Sequence, residues 1–164
     1  MFFDRNAQRG NRPLLAFILA TLVVGAVGNM FTAPSIPTWY AELLKPSFNP
    51  PNWVFAPVWT ALYILMAVAA SRVWKVTGLK SPEIALYAVQ LALNLAWSIL
   101  FFGLHKILWA LADLGLLLAL VVVTLVAFWR RDRVAGALML PYFGWSGFAF
   151  LLNLAIWRFN GAGG

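Results

Sequence analysis

The chain has 164 residues, of which 63% are hydrophobic and 10% are charged. A soluble domain carries about 25% charged residues, so these polar side chains are too few to cover a water-soluble globule. The formal net charge is +7, but Lys and Arg lie in short clusters between apolar runs, which is typical of loops between membrane helices and not of a nucleic-acid-binding face. Without cysteine and with a single histidine, the sequence excludes disulfides, thiolate chemistry and a multi-histidine metal site, and we expect no metal and no required cofactor.

Five apolar runs predict an all-α integral membrane protein. The runs lie near residues 14–32, 53–74, 83–104, 107–129 and 134–157. Each has about the 20 residues that span a hydrocarbon core. We predict one domain over residues 1–164, a bundle of five transmembrane helices with a long first loop at 33–52. The first run also resembles a signal peptide with a cleavage site at 26–28, but we favour a retained helix in which Gly25 and Gly28 approach a neighbouring helix closely.

The long first loop is rich in proline and aromatic residues. Pro46, Pro50 and Pro51 interrupt it, and Pro57 follows closely. Proline lacks a backbone donor and pushes the preceding residue to extended geometry. We therefore predict a short helix near 38–44, an extended run, and then a long helix with Pro57 in its opening turns. We interpret this loop as a rigid aromatic lid over the bundle.

The distribution of Lys and Arg predicts an orientation. With five helices, one side of the membrane carries nine of the twelve: Arg5, Arg9, Arg12, Arg72, Lys75, Lys80, Arg130, Arg131 and Arg133. The other side carries Lys45, Lys106 and Arg158. Basic loops stay in the cytoplasm. In a plasma membrane, this bias predicts a multi-pass protein with its N-terminus inside.

The nine tryptophans fall into two groups. Most are typical of an interfacial belt, because they lie in the loop or at predicted helix ends: Trp39, Trp53, Trp74, Trp109, Trp129 and Trp157. Trp59, Trp97 and Trp145 lie inside spans instead. At about 1.5 Å per residue, the first two lie about 10 Å deep and the third about 18 Å deep. All three are therefore expected in the outer half of the bundle, beneath the lid.

The third predicted helix has two distinct faces. Gln90, Asn94 and Ser98 share one face, and uncharged polar groups in a membrane favour the bundle interior. The opposite side carries small residues at the same spacing: Ala88, Ala92 and Ala96. Small residues allow close helix packing. The sequence leaves open whether this alanine face packs against a second subunit or inside the same bundle.

A ligand pocket follows from these faces. Its predicted walls are Trp59, Tyr63, Asn94, Trp97, Trp145 and Ala149. Such flat, sparsely polar walls suit a large planar aromatic ligand, although the same rings could simply fill the bundle core.

Asp113, the one acid well inside a span, is a functional candidate, but we favour a structural role. We expect His105 to be an interfacial residue and not a haem ligand, and no arrangement for hydrolytic catalysis is evident.

Specific motifs are spread along most of the chain: Trp39-Tyr40, Lys45-Pro46-Ser47, Pro50-Pro51, Trp59, Leu62-Tyr63, the run 90–94 with Trp97, the run 101–103, the run 109–113, Pro141-Tyr142, Trp145, Phe148-Ala149, Leu152-Asn153 and Trp157-Arg158. Together they resemble the TspO/MBR family of translocator and peripheral benzodiazepine receptor proteins, in a bacterial-type form. The resemblance covers nearly the whole chain beyond residue 24.

The resemblance implies a five-helix bundle, often a homodimer, that binds porphyrins, including haem, and other tetrapyrroles. It also implies binding of isoquinoline carboxamide or benzodiazepine-type ligands and a role in tetrapyrrole handling or transport. The implied ligand-binding residues are Tyr40, Pro50, Trp59, Tyr63, Asn94, Trp97, Trp145 and Ala149. Two alternatives remain open. One is a light- and oxygen-dependent porphyrin-degrading enzyme that uses Trp59 and Trp145; the other is a non-catalytic regulatory protein acting through a dimer or partner contact along Ala88, Ala92 and Ala96.

The chain departs from the family pattern at two places. Phe48 stands where the family often has Trp after Lys-Pro-Ser, so one aromatic wall is smaller. In animal members a Tyr precedes the final Arg of the last helix within a proposed cholesterol motif, whereas Leu154 and Ala155 stand in that region before Arg158. Because the motif needs a Tyr, we do not expect cholesterol recognition through it.

Overall fold

The computed structural model describes residues 12–161, and within that range the regular structure is helical, with no strand. The elements are α1 (Arg12–Ser35), α2 (Trp39–Glu42), a 3-10 turn (Asn52–Val54), α3 (Phe55–Thr77), α4 (Pro82–Ser98), a π-helical turn (Ile99–Gly103), α5 (Ile107–Arg131) and α6 (Arg133–Asn160). The all-α prediction is confirmed. Arg5 and Arg9, which contribute to the predicted charge bias, lie outside the described residues.

Five helical stretches are long and apolar enough to cross a membrane: Arg12–Ser35, Asn52–Thr77, Pro82–Gly103, Ile107–Arg131 and Arg133–Asn160. The chain is thus an integral multi-pass membrane protein, as predicted. The predicted start of the lid at residue 33 is wrong, because α1 continues to Ser35. Pro34 lies in the last turn of α1, where a proline removes a single backbone hydrogen bond of the helix.

The five spans form a closed ring. α1 packs on α3 and α4, α3 packs on α6, and α5 packs on both α4 and α6, so the order around the ring is α1, α3, α6, α5, α4. Met66, Leu114, Leu117, Met139 and Tyr142 are fully buried at its centre. Large apolar side chains on the outside meet lipid, which is as apolar as they are.

Two ion pairs join the helices at the end of the bundle where α1 begins. Asp132 caps α6, and its carboxylate also binds the Arg72 guanidinium at 2.8 Å. Arg131 binds Glu83 at 2.6 Å, which ties α5 to α4. Although burial acts in the opposite direction, the N–H of Ala135 and the Arg72 guanidinium hold the pKa of the Asp132 carboxyl below its ordinary value. The capping carboxylate therefore stays ionised at neutral pH.

The first loop, residues 36–51, is tied down at several points. Tyr40 is buried and donates a hydrogen bond of 2.7 Å to the side-chain oxygen of Asn49. Burial raises the pKa of Tyr40 to about 12, so its hydroxyl keeps the proton that it donates. Asn160 at the end of α6 accepts from the Leu44 N–H at 3.0 Å and donates to the Leu44 carbonyl at 2.9 Å. The first bond fixes the loop internally and the other two hold it against the end of α6, as the rigid-lid interpretation requires.

A stacked pair of rings anchors the start of this loop. Trp39 stacks on His105 with ring centroids 4.2 Å apart, and His105 has a left-handed backbone with φ of 57°. The Ser35 hydroxyl donates to the Phe102 carbonyl at 2.8 Å and lies 3.2 Å from Nε2 of His105. Because the Ser35 hydroxyl proton already bonds to the Phe102 carbonyl, the Ser35 oxygen can only accept a hydrogen bond from His105. Nε2 of His105 is therefore the donor. His105 thus joins the α4–α5 connection to the loop, in keeping with an interfacial role.

Candidate functional site

A cavity of about 370 Å³ lies between α1, α3, α4 and the first loop. Its lining residues are Leu22, Gly25, Ala26, Gly28, Asn29, Thr32, Ile36, Tyr40, Asn52, Phe55, Ala56, Trp59, Thr60, Tyr63, Trp97, Ser98 and Phe102. This volume lies within the range of small-molecule sites. α3 and α4 supply its large aromatic rings, while α1 supplies mostly small side chains.

A second, smaller cavity of about 30 Å³ lies between the first loop, α4 and α6. Its walls include Trp145, Phe148 and Ala149 from α6. It shares several residues with the larger cavity, namely Tyr40, Phe55, Trp59, Trp97 and Phe102. Trp59 and Trp97 have ring centroids 6.0 Å apart. This pair therefore belongs to the walls of both spaces and separates the α1 side from the α6 side.

The structure brings most of the predicted ligand-binding residues to these cavities. Tyr40, Trp59, Tyr63 and Trp97 line the larger cavity, while Trp145 and Ala149 line the smaller one. Pro50 is half-buried in the loop and lines neither of them. Asn94 also lines neither, because its carboxamide is buried behind the cavity wall.

Asn94 joins three helices through two hydrogen bonds. Its side-chain oxygen accepts from the Tyr63 hydroxyl at 2.6 Å, and its NH₂ donates to the Tyr142 hydroxyl at 3.2 Å. Asn94 is only 1% exposed. Because Asn94 is shielded from water, water molecules do not compete for these two hydrogen bonds. Asn94 therefore orients the Tyr63 ring at the cavity wall without touching the cavity itself.

A second amide orients Trp97. The Trp97 indole N–H donates to the side-chain oxygen of Asn153 at 3.2 Å, and the Asn153 NH₂ donates to the Ile107 carbonyl at 3.1 Å. In contrast, the Trp145 indole nitrogen is buried without a hydrogen bond to any described residue. The Trp145 ring packs instead near Phe148, with centroids 5.2 Å apart. The two tryptophans thus differ in how strictly their rings are held.

Sequence reasoning missed the α1 wall of the larger cavity. It expected Gly25 and Gly28 to approach a neighbouring helix, and this is confirmed. A Cβ on Gly25 would lie 2.7 Å from Cδ2 of Tyr63, and one on Gly28 would lie 3.2 Å from the Ser98 hydroxyl. The signal that could have found this wall is Asn29, the lone carboxamide within the first apolar run.

Asp113 and the other charged residues of the described chain lie outside the walls of both cavities. Asp113 lines neither cavity, and its buried Oδ2 has no hydrogen bond within residues 12–161. None of the described lining residues is Asp, Glu, His, Lys or Arg. General acid–base catalysis usually depends on such groups. The geometry is therefore suited to binding an apolar body and supplies no charged proton donor or acceptor to it.

The alanine face of α4 points away from the bundle. Ala88 and Ala92 are exposed, and Ala96 is half-buried. The sequence left open whether this alanine face packs against a second subunit or inside the same bundle. In the described chain it does not pack inside the bundle. The opposite face carries Gln90, Asn94 and Ser98, all of which are buried.

Five spans in a ring, an aromatic-walled cavity and a structured loop over it define a class of small helical membrane proteins with an internal ligand-sized space. The sequence pattern of the TspO/MBR family matches residues 17–158. The chain belongs to this family.

Named relatives cover most of the chain. Tryptophan-rich protein TspO of Archaeoglobus fulgidus is 44% identical over 148 residues, which are 90% of this chain and 96% of the relative. Translocator protein of Homo sapiens is 40% identical over 152 residues, 90% of each chain. Tryptophan-rich sensory protein of Cereibacter sphaeroides is 43% identical over 122 residues, 74% of this chain and 77% of the relative.

The hydrogen bond from Tyr63 to Asn94 predicts a stability effect. Tyr63→Phe leaves the buried Asn94 oxygen without its donor, and we expect a loss of about 1–3 kcal/mol of unfolding free energy. Unfolding of the detergent-solubilised protein in denaturant measures it. The double variant Tyr63→Phe with Asn94→Leu is the control, because removing both partners should cost less than the sum of the single changes. Strictly additive losses, or a Tyr63→Phe protein as stable as wild type, would contradict this role.

Proposed function

We propose that this protein binds porphyrins and related tetrapyrroles in the larger cavity, as a membrane receptor or carrier in tetrapyrrole handling. The observation that carries the proposal is the pair of rings Trp59 and Trp97 on a cavity of about 370 Å³. The name "translocator protein" of one relative and the name "sensory protein" of another support a role of this kind.

The chemistry of the walls supports a planar ligand. Trp59 lies between Tyr63 and Trp97, with ring centroids at 5.6 Å and 6.0 Å. Large rings present flat faces that attract other aromatic systems. The first loop covers the outer side through Tyr40, which also lines the cavity. Isoquinoline carboxamide or benzodiazepine-type ligands, which are smaller planar bodies, fit the same description.

We predict that Trp59→Phe weakens porphyrin binding about threefold to tenfold, because a smaller ring loses part of the stacking energy. Quenching of tryptophan fluorescence by protoporphyrin in detergent, in the dark, measures the affinity. Trp109→Phe is the matched control, since Trp109 is 69% exposed on the bundle surface and lines neither cavity. Equal affinities for Trp59→Phe and wild type would remove the cavity as the site. Linear quenching without saturation would show that porphyrin only partitions into the micelle.

The same complex also tests the alternative of light-dependent porphyrin degradation. Trp59 and Trp145, the candidate residues, line the smaller cavity on either side and carry oxidisable indoles. Illumination in air should then yield a defined product from the wild type and lose it when both become Phe. An identical product from an unrelated membrane protein loaded with porphyrin would exclude this activity.

We also propose that the alanine face of α4 forms a homodimer interface. Its exposed small residues, Ala88 and Ala92, would let the α4 helices of two subunits approach closely. Closed two-fold contacts are the commonest form of homo-oligomer.

A bulky residue on this face should abolish the dimer. We expect Ala92→Phe to give monomers by size-exclusion chromatography with light scattering in detergent, because the ring prevents close approach. Ala112→Phe is the matched control, since Ala112 is exposed on α5 and should leave the dimer intact. A dimer that survives Ala92→Phe, or is lost equally in Ala112→Phe, would place the interface elsewhere.

The N-terminus is proposed to lie inside. In the described part of the chain, Arg72, Lys75, Lys80 and the basic residues of 130–133 share the end where α1 begins, while Lys45 and Lys106 lie at the other end. Because the chain has no cysteine, single-cysteine variants can report each side. We expect an impermeant maleimide to label Lys45→Cys in intact cells and Lys80→Cys only after permeabilisation. The reverse pattern would invert the topology.

A further inference from the structure

Several polar side chains of the larger cavity have no hydrogen-bond partner among the described residues, and two of them lie on the adjoining walls of α1 and α4. Ser98 of α4 is 7% exposed, and Asn29 of α1 is exposed at the open side of the cavity. Several hydroxyls elsewhere in the wall already donate hydrogen bonds. The Thr32 and Thr60 hydroxyls donate to carbonyls of their own helices at 3.1 Å and 2.8 Å, and the Tyr63 hydroxyl donates to Asn94. Ser98 and Asn29, together with the Trp59 indole N–H on the α3 wall, are therefore the donors at membrane depth that have no hydrogen bond to another described residue.

Their depth makes the lack of a partner significant. Asn29 lies six residues before the end of α1 at Ser35, which is about 9 Å along the helix axis. Asn52, a further unpaired amide, lies instead in the turn before α3, at the end of the span where water and lipid headgroups can satisfy it. Polar groups in the hydrocarbon region are costly unless something bonds to them. A partner is thus expected inside the cavity.

The two groups lie on adjoining walls. The Ser98 hydroxyl would be 3.2 Å from a Cβ on Gly28, so it faces the α1 backbone at the residue that precedes Asn29, and both side chains line the cavity. Together they offer three donor hydrogens, two from the carboxamide and one from the hydroxyl. Gly28 leaves the space between the helices that lets Ser98 reach this wall. The result is a polar corner between α1 and α4 in a mostly aromatic and aliphatic cavity.

We propose that Asn29 and Ser98 form the hydrogen-bonding subsite of the cavity and that it takes an uncharged carbonyl group of the ligand, such as an ester or amide. This inference rests on the proposed tetrapyrrole site. No described lining residue is a cation, so an ionised carboxylate in this corner would be buried without a counter-charge. The site therefore selects ligands, or parts of ligands, whose polar group is neutral.

The test pairs changes in the protein with a change in the ligand. Protoporphyrin dimethyl ester carries two ester carbonyls, whereas etioporphyrin carries only alkyl groups. We expect Asn29→Leu and Ser98→Ala each to weaken binding of the dimethyl ester about fivefold to tenfold, the loss of one hydrogen bond, and to leave etioporphyrin binding unchanged. Fluorescence quenching in detergent in the dark measures both. Ser146→Ala, a buried hydroxyl that lines neither cavity, and Met30→Leu on the outside of α1 are the matched controls.

Each of the other possible results of this binding experiment contradicts a different part of the proposal. Equal losses for the ester and for etioporphyrin would mean that the residues act by packing and not by hydrogen bonding. Unchanged affinity for both ligands would remove the subsite. Tighter binding of the protoporphyrin free acid than of its ester, lost in the same variants, would show that the corner takes a carboxylate. If the wild type binds no porphyrin saturably, the proposed function itself fails and this inference fails with it.

Discussion

The bundle depends on the rule that a polar side chain inside a membrane needs a partner, because lipid offers none. Asn94 meets this rule with Tyr63 of α3 and Tyr142 of α6. Lipid and protein interior are equally apolar, so burial alone does not set the rotation of a helix within the membrane. Directional bonds at one amide therefore fix how α3, α4 and α6 face one another.

The cavity follows from the same arrangement. Asn94 holds Tyr63 and Asn153 holds Trp97, so two of the rings in its wall are bound from behind and their faces remain available. Trp59 is positioned by packing between them. A wall built in this way presents flat aromatic faces to the space, which is the surface that a planar apolar ligand contacts best.

Much of the fold could be predicted from residues 14–157, because span length and Lys/Arg spacing follow from bilayer thickness. The polar face of α4 was also readable, since Gln90, Asn94 and Ser98 recur once per helical turn. Which helices pack against each other could not be predicted in this way. In α1 nearly every residue is apolar, so the side facing α3 cannot be told from the side facing lipid, and the cavity wall at Leu22 and Asn29 escaped notice.

Small residues explain why the space lies against α1 and not elsewhere in the ring. Gly25 and Gly28 bring the α1 backbone against Tyr63 and Ser98, which closes the ring between α1 and its two neighbours. Next to these contacts Ala26 of α1 and Ala56 of α3 both line the cavity and are too short to fill the gap between the helices. The close helix contacts at the glycines and the open space beside the alanines thus both follow from the small residues of α1 and α3.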